Sequence, residues 1–143
     1  MIFQIISVLL FILVIFFLFR YSGKRKFLNS KGSLDKNFVI NRWEDIQNLV
    51  NLGKPSAANS ALIEADKLMD YVLKSKVGNQ GTMGDRLKKA DKLFSSYRIY
   101  QGVWKSHKLR NVAVHETQAE VFYSDVKKAV EGFERGLRDL KLI

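Results

Sequence analysis

A chain of 143 residues leaves room for one compact domain of roughly 100 residues once its apolar N-terminus is set aside. With no cysteine and only two histidines, His107 and His115, a disulfide framework is excluded and a thiolate or histidine-rich metal centre is not expected. The 24 lysines and arginines outnumber 14 acids, but residues 1–31 hold five of those bases and no acid, so the remainder is only mildly basic. That balance is compatible with an anionic partner without demanding one.

Residues 1–19 read MIFQIISVLLFILVIFFLF, with Gln4 and Ser7 as the only polar side chains. Nineteen helical residues reach about 28 Å, which matches a hydrocarbon core of about 30 Å. A secretory signal peptide is disfavoured, since no basic segment precedes the run and no small-x-small cleavage site follows it. A buried core helix is equally poor, because nothing polar offers a solvent face. The expectation is a single transmembrane helix held in the lipid bilayer of the cell membrane. Arg20, Lys24, Arg25 and Lys26 follow it directly, and by the positive-inside rule the C-terminal domain is expected in the cytoplasm. The same bases suit anionic lipid headgroups. Residues 20–35, interrupted by Gly23, Gly32 and several Ser and Asn, read as a basic juxtamembrane linker.

From residue 36 to 143 helical periodicity dominates, and no alternating strand pattern competes. Val39, Trp43, Ile46 and Val50 recur at spacings of four, three and four, and Gly53 closes the segment. Pro55 suits the first turn of a second helix, whose stripe is Ala61, Ala65, Leu68 and Val72, widened by Leu62, Met69 and Leu73 and stopping near Gly78. Thr82 with Asp85 resembles a capping box and opens a helix with Met83, Leu87, Ala90 and Phe94 on one face. A fourth helix covers about 98–114. Thr117 with Glu120 forms a second capping box, ahead of the stripe Phe122, Val126, Ala129, Phe133, Leu137 and Leu140. The fold class expected is all-α: the N-terminal transmembrane helix plus a four- to five-helix antiparallel bundle.

One stretch, Trp104 to Glu116, is not explained by apolar packing. At 100° per residue, Trp104, Lys108, Asn111 and His115 fall within about 60° of one another, with His107 at the edge. Leu109, Val112 and Ala113 point the other way and can fill the core. A purely structural reading is available, in which Trp104 packs while Asn111 and His115 cap the helix end or bond to backbone. Among the acids of the second helix, Asp66 and Asp70 share a side. A partner for Arg110, or a solvated face, explains them better than a metal site. No phosphate-cradling glycine loop is present, since Gly78, Gly81 and Gly84 read as a turn.

Arg110-Asn111-x-x-x-His115 resembles the R-x4-H signature of HEPN domains, and the likeness covers approximately residues 37–141. The segments ALIEADKLMDYVL, TMGDRL and VWKSHKLRNVAVHE also resemble a group of uncharacterised bacterial single-pass membrane proteins, a likeness that brings no activity with it. The HEPN resemblance implies a four- or five-helix bundle that pairs as a homodimer. It also implies RNA as a partner and, in many members, metal-independent endoribonuclease activity without any cofactor. Arg110, Asn111 and His115 would then be catalytic. His115 would act as general base or acid, Arg110 would hold the phosphoryl charge, and Asn111 would orient the imidazole or the phosphate. Lys105, His107 and Lys108 are read as further RNA contacts. The alternative is a non-catalytic HEPN-like dimerisation or adaptor module at the membrane, with an antitoxin-like or other protein partner. On a regular helix Arg110 and His115 lie about 140° apart. Either the helix ends or bends between them, or each works with the other copy of the chain.

Overall fold

The computed structural model describes residues 34–115 and 122–143, and Gly32–Ile143 form one compact unit. The expected transmembrane segment 1–19, the basic cluster after it and the Thr117–Glu120 capping box lie outside the described residues. Among those described, all regular structure is helical, and no helix is long and apolar enough to cross a membrane. Five α-helices follow one another: α1 Lys36–Asn51, α2 Pro55–Val77, α3 Met83–Lys89, α4 Tyr97–His115 and α5 Tyr123–Asp139.

Asp35 starts α1 by accepting a hydrogen bond from the Phe38 N–H at 3.0 Å, relieving one of the free donors of the first turn. The stripe Val39, Trp43 and Ile46 is buried, and Gly53, at φ +67°, turns the chain after the helix. Pro55 occupies the first turn of α2, where its missing N–H costs nothing. This 23-residue helix is the centre of the bundle and touches all four others. Small residues (Ala58, Ala61, Ala65) alternate with large ones (Leu62, Met69, Leu73) along its buried side, so neighbouring helices can approach closely.

Thr82 and Asp85 form a complete capping box at α3, with the Thr82 N–H donating to the Asp85 carboxylate at 3.0 Å. Thr82 Oγ1 accepts from the Asp85 N–H at 3.2 Å. The single long helix expected here is corrected: α3 ends at Lys89, and a 3-10 turn, Asp91–Leu93, follows. Met83, Leu87, Ala90 and Phe94 are nevertheless all buried, because the tighter turn keeps the stripe pointed inward. The last helix is corrected at its start as well. Phe122 has extended backbone (ψ 140°) and 61% exposure, so it precedes α5 instead of belonging to its stripe.

The α4–α5 contact is the most extensive in the bundle, and glycine makes it so. A Cβ on Gly132 would collide with Ser106 Oγ and stand 3.1 Å from the Gly102 carbonyl oxygen. One on Gly136 would meet Val103 Cγ2 at 2.6 Å and Met69 Cε at 2.9 Å. The two helices run antiparallel, closed at one end by Asp139, which accepts from the Ser95 N–H at 2.8 Å and from the Ser95 hydroxyl.

Candidate functional site

Helix α4 carries Arg98, Lys105, Lys108 and Arg110 and not one carboxylate of its own. It runs unbroken from Tyr97 to His115, so the helical arithmetic holds along its whole length. Positions 110 and 115 therefore stand about 140° apart around the helix axis. The option that a bend brings them together within one chain is corrected accordingly. The His115 side chain lies outside the described residues.

On the side of α4 that faces α2, the polar residues close into a ring. Asp66, only 5% exposed, sits in the middle of the buried stripe of α2, where a lone carboxylate would be costly. Its Oδ1 lies 2.7 Å from His107 Nδ1, and its Oδ2 lies 3.3 Å from Arg110 Nε. Arg110 Nε is buried and its N–H is aligned on no acceptor, so this second contact is a charge pairing, not a hydrogen bond. Arg110 Nη1 donates to Asn111 Oδ1 at 3.1 Å, and Asn111 Nδ2 lies 3.3 Å from His107 Nε2.

The donors and acceptors of this ring can be assigned in order. A guanidinium has only donors, so the Asn111 oxygen must face Arg110 and its amide nitrogen must face His107. His107 Nε2 then accepts, and Nδ1 carries the hydrogen donated to Asp66. Both ring nitrogens of His107, an expected RNA contact, are thereby engaged within the chain. The imidazole that Asn111 meets is that of His107, four residues earlier. Arg110 gives part of its charge to Asp66, the partner that the sequence offered for it.

A second buried pairing fixes the neighbouring loop. Arg86, 4% exposed, reaches Asp70 at 2.6 Å and donates to the carbonyl oxygen of Gly81 at 2.7 Å. Sequence reasoning missed Arg86 and the Asp66–His107 pair. The available signal was a carboxylate on an apolar stripe, which demands a cation from elsewhere in the chain.

The outer side of α4 is different. Lys105 and Lys108, both expected RNA contacts, are exposed, as is Arg98, and none of the three has an acidic partner among the described residues. Lys108 Nζ stands 5.9 Å from the Trp104 ring centre, a cation–π distance. Tyr97, Tyr100, Trp104 and His107 follow one another with ring centres 6.1, 6.4 and 6.2 Å apart, an aromatic ladder along the helix. Among the described residues no group of three His, Cys, Asp or Glu side chains is placed to hold a metal ion. Glu64, on the α2 side facing α1, is held below the usual carboxylate range by its hydrogen bond from Lys67 and, less strongly, by Arg42 at 2.7 Å. Comparison with protein-family models, with characterised proteins and with solved structures finds no match to this chain.

Proposed function

We propose that the chain is a membrane-anchored, HEPN-like helical domain that binds RNA along the outer side of α4. The observation that carries this reading is the uncompensated charge of that helix: Arg98, Lys105 and Lys108 are exposed, Lys108 beside the Trp104 ring, with no carboxylate in the helix to offset them. Phosphate binding needs such cations, and base stacking needs such rings. The apolar run 1–19 and the bases after it support anchoring with the domain in the cytoplasm. Full-length protein in nanodiscs of zwitterionic lipid should bind a labelled single-stranded RNA with an affinity that falls steeply with salt, as counterion release requires. Replacing Lys105 and Lys108 together by Glu should remove most of that binding and leave the helical circular dichroism unchanged. Equal binding by this variant would overturn the reading.

Cleavage is the second reading, and one observation favours it. Arg110 Nη2 makes no hydrogen bond among the described residues, and the side chain keeps 23% exposure. With positions 110 and 115 about 140° apart around α4, the reaction would be assembled across a two-fold pair, Arg110 of one copy with His115 of the other. Such an enzyme would cut RNA in EDTA, leave 2′,3′-cyclic phosphate ends and lose about two to four orders of magnitude in rate on His115→Ala. Intact RNA after incubation with dimeric protein selects the binding module, a role that the inward engagement of Arg110 and His107 supports.

A further inference from the structure

Three glycines lie on the α4–α5 pair, and packing accounts for two of them. Gly132 and Gly136 are pressed against the other helix, whereas a Cβ on Gly102 would have nothing within 4 Å. A glycine inside a helix is unfavourable relative to alanine, so the contact between the helices gives Gly102 no reason to be there. What it borders is a groove of about 690 Å³ between the first turns of α4 and the last turns of α5. Arg98, Lys105, Arg135 and Tyr97 are among its lining residues, and no carboxylate lines it. Arg135 has Glu131 at 4.0 Å, but both side chains are about half exposed and such a pairing is weak. Tyr97 is 75% exposed and rests against Tyr100 with the rings tilted by 47°, which supports it from one side.

We propose that this groove seats one nucleotide of a bound single-stranded RNA, with its base stacked on Tyr97 and its phosphates on Arg98, Lys105 and Arg135. The volume suits a ligand of that size, and the chemistry matches both halves of a nucleotide: cations for the anion, an exposed ring for the flat base. The absent side chain of Gly102 keeps the floor open. This inference rests on the RNA-binding reading and adds a place to it, reaching from α4 onto α5.

The test uses full-length protein in zwitterionic nanodiscs and a fluorescent oligoribonucleotide, with inorganic polyphosphate as competitor. Tyr97→Ala should weaken RNA binding about tenfold, on the scale of one lost stacking contact, and leave polyphosphate binding unchanged. Arg135→Glu should weaken both and lower the slope of log affinity against log salt by about 0.7 or more, one phosphate contact on a single strand. Gly102→Leu fills the groove with no change of charge, and should weaken RNA binding about tenfold at unchanged helix content. If all three variants bind RNA as the wild type does while the Lys105 and Lys108 double variant does not, RNA lies on the outer ridge alone and the groove has no part. If wild-type protein binds no RNA, the functional reading itself falls and the groove falls with it. If Gly102→Leu unfolds the protein, the two exposed positions, Tyr97 and Arg135, decide the matter.

Discussion

The two sides of α4 use similar residues for opposite purposes. Toward α2, His107, Arg110 and Asn111 join Asp66 in a ring closed by three hydrogen bonds and one charge pairing. Toward α5 and solvent, Arg98 and Lys105 carry the same charge with no acid to answer it. Low-dielectric surroundings make the first set expensive to disturb, while water makes the second set cheap to change. Charge on a helix therefore says little about function until its partners are known. A cation with a buried carboxylate opposite belongs to the fold, and one with none is available to a ligand.

The largest break in that comparison should come from Asp66→Ala. It leaves the Arg110 guanidinium without its counter-charge and the His107 Nδ1–H without its acceptor, and should cost about 3 kcal/mol in denaturation measurements. A loss below about 0.5 kcal/mol would mean that the ring contributes nothing to holding α4 on α2. Next comes Gly132→Ala, which probes the groove side through its backbone. Ser106 can rotate aside, but the Gly102 carbonyl cannot, and a destabilisation of about 1–3 kcal/mol is expected. Stability equal to wild type would show that α4 and α5 are further apart than 3.1 Å from that carbonyl implies.

Acid should act more gently and away from α4. Glu64 is held below its ordinary value near 4.5 chiefly by Lys67, and Asp85 below its ordinary value near 3.8 chiefly by the Thr82 N–H. Carboxylates with lowered values stabilise the fold above their unfolded-state range and lose that contribution as pH falls through the folded-state value. Unfolding free energy should thus decline as pH drops below about 4.5, and Asp85→Asn should shrink the part of the decline seen at the lower end. A pH profile of stability that stays flat from pH 5 to pH 3 would contradict both assignments.

Much of the bundle was legible because its signals are local. Val39, Trp43 and Ile46 advertise their shared face by spacing, and Thr82 and Asp85 advertise a helix start within four residues. The end of α3 was not legible, since Ala90 and Phe94 continue the apolar spacing through a 3-10 turn as well as through a helix. Gly132 and Gly136 gave no packing signal either, because their reason for being small is Gly102, Ser106 and Val103 on another helix. The same distance in sequence hid the ring. Spacing singled out Arg110, Asn111 and His115, but Asp66, forty-one residues before His107, decides what Arg110 and Asn111 are engaged with. The sequence did offer Asp66 as a partner for Arg110. It offered no sign that His107 would be drawn in as well.

The central claim is that Arg110 serves the fold and Arg98 serves a ligand, and one paired measurement tests it directly. Arg110→Gln and Arg98→Gln remove the same charge from the same helix. For each, unfolding free energy and affinity for single-stranded RNA are to be measured on full-length protein. Arg110→Gln should cost about 1–3 kcal/mol of stability, by leaving buried polar groups unsatisfied, with the affinity of the folded protein little changed. Arg98→Gln should leave stability within about 0.5 kcal/mol and weaken RNA binding with a shallower salt dependence. The reverse pattern would contradict the account: stability untouched and RNA binding lost in Arg110→Gln, with Arg98→Gln silent in both. Arg110 would then be a ligand contact and the ring around it incidental.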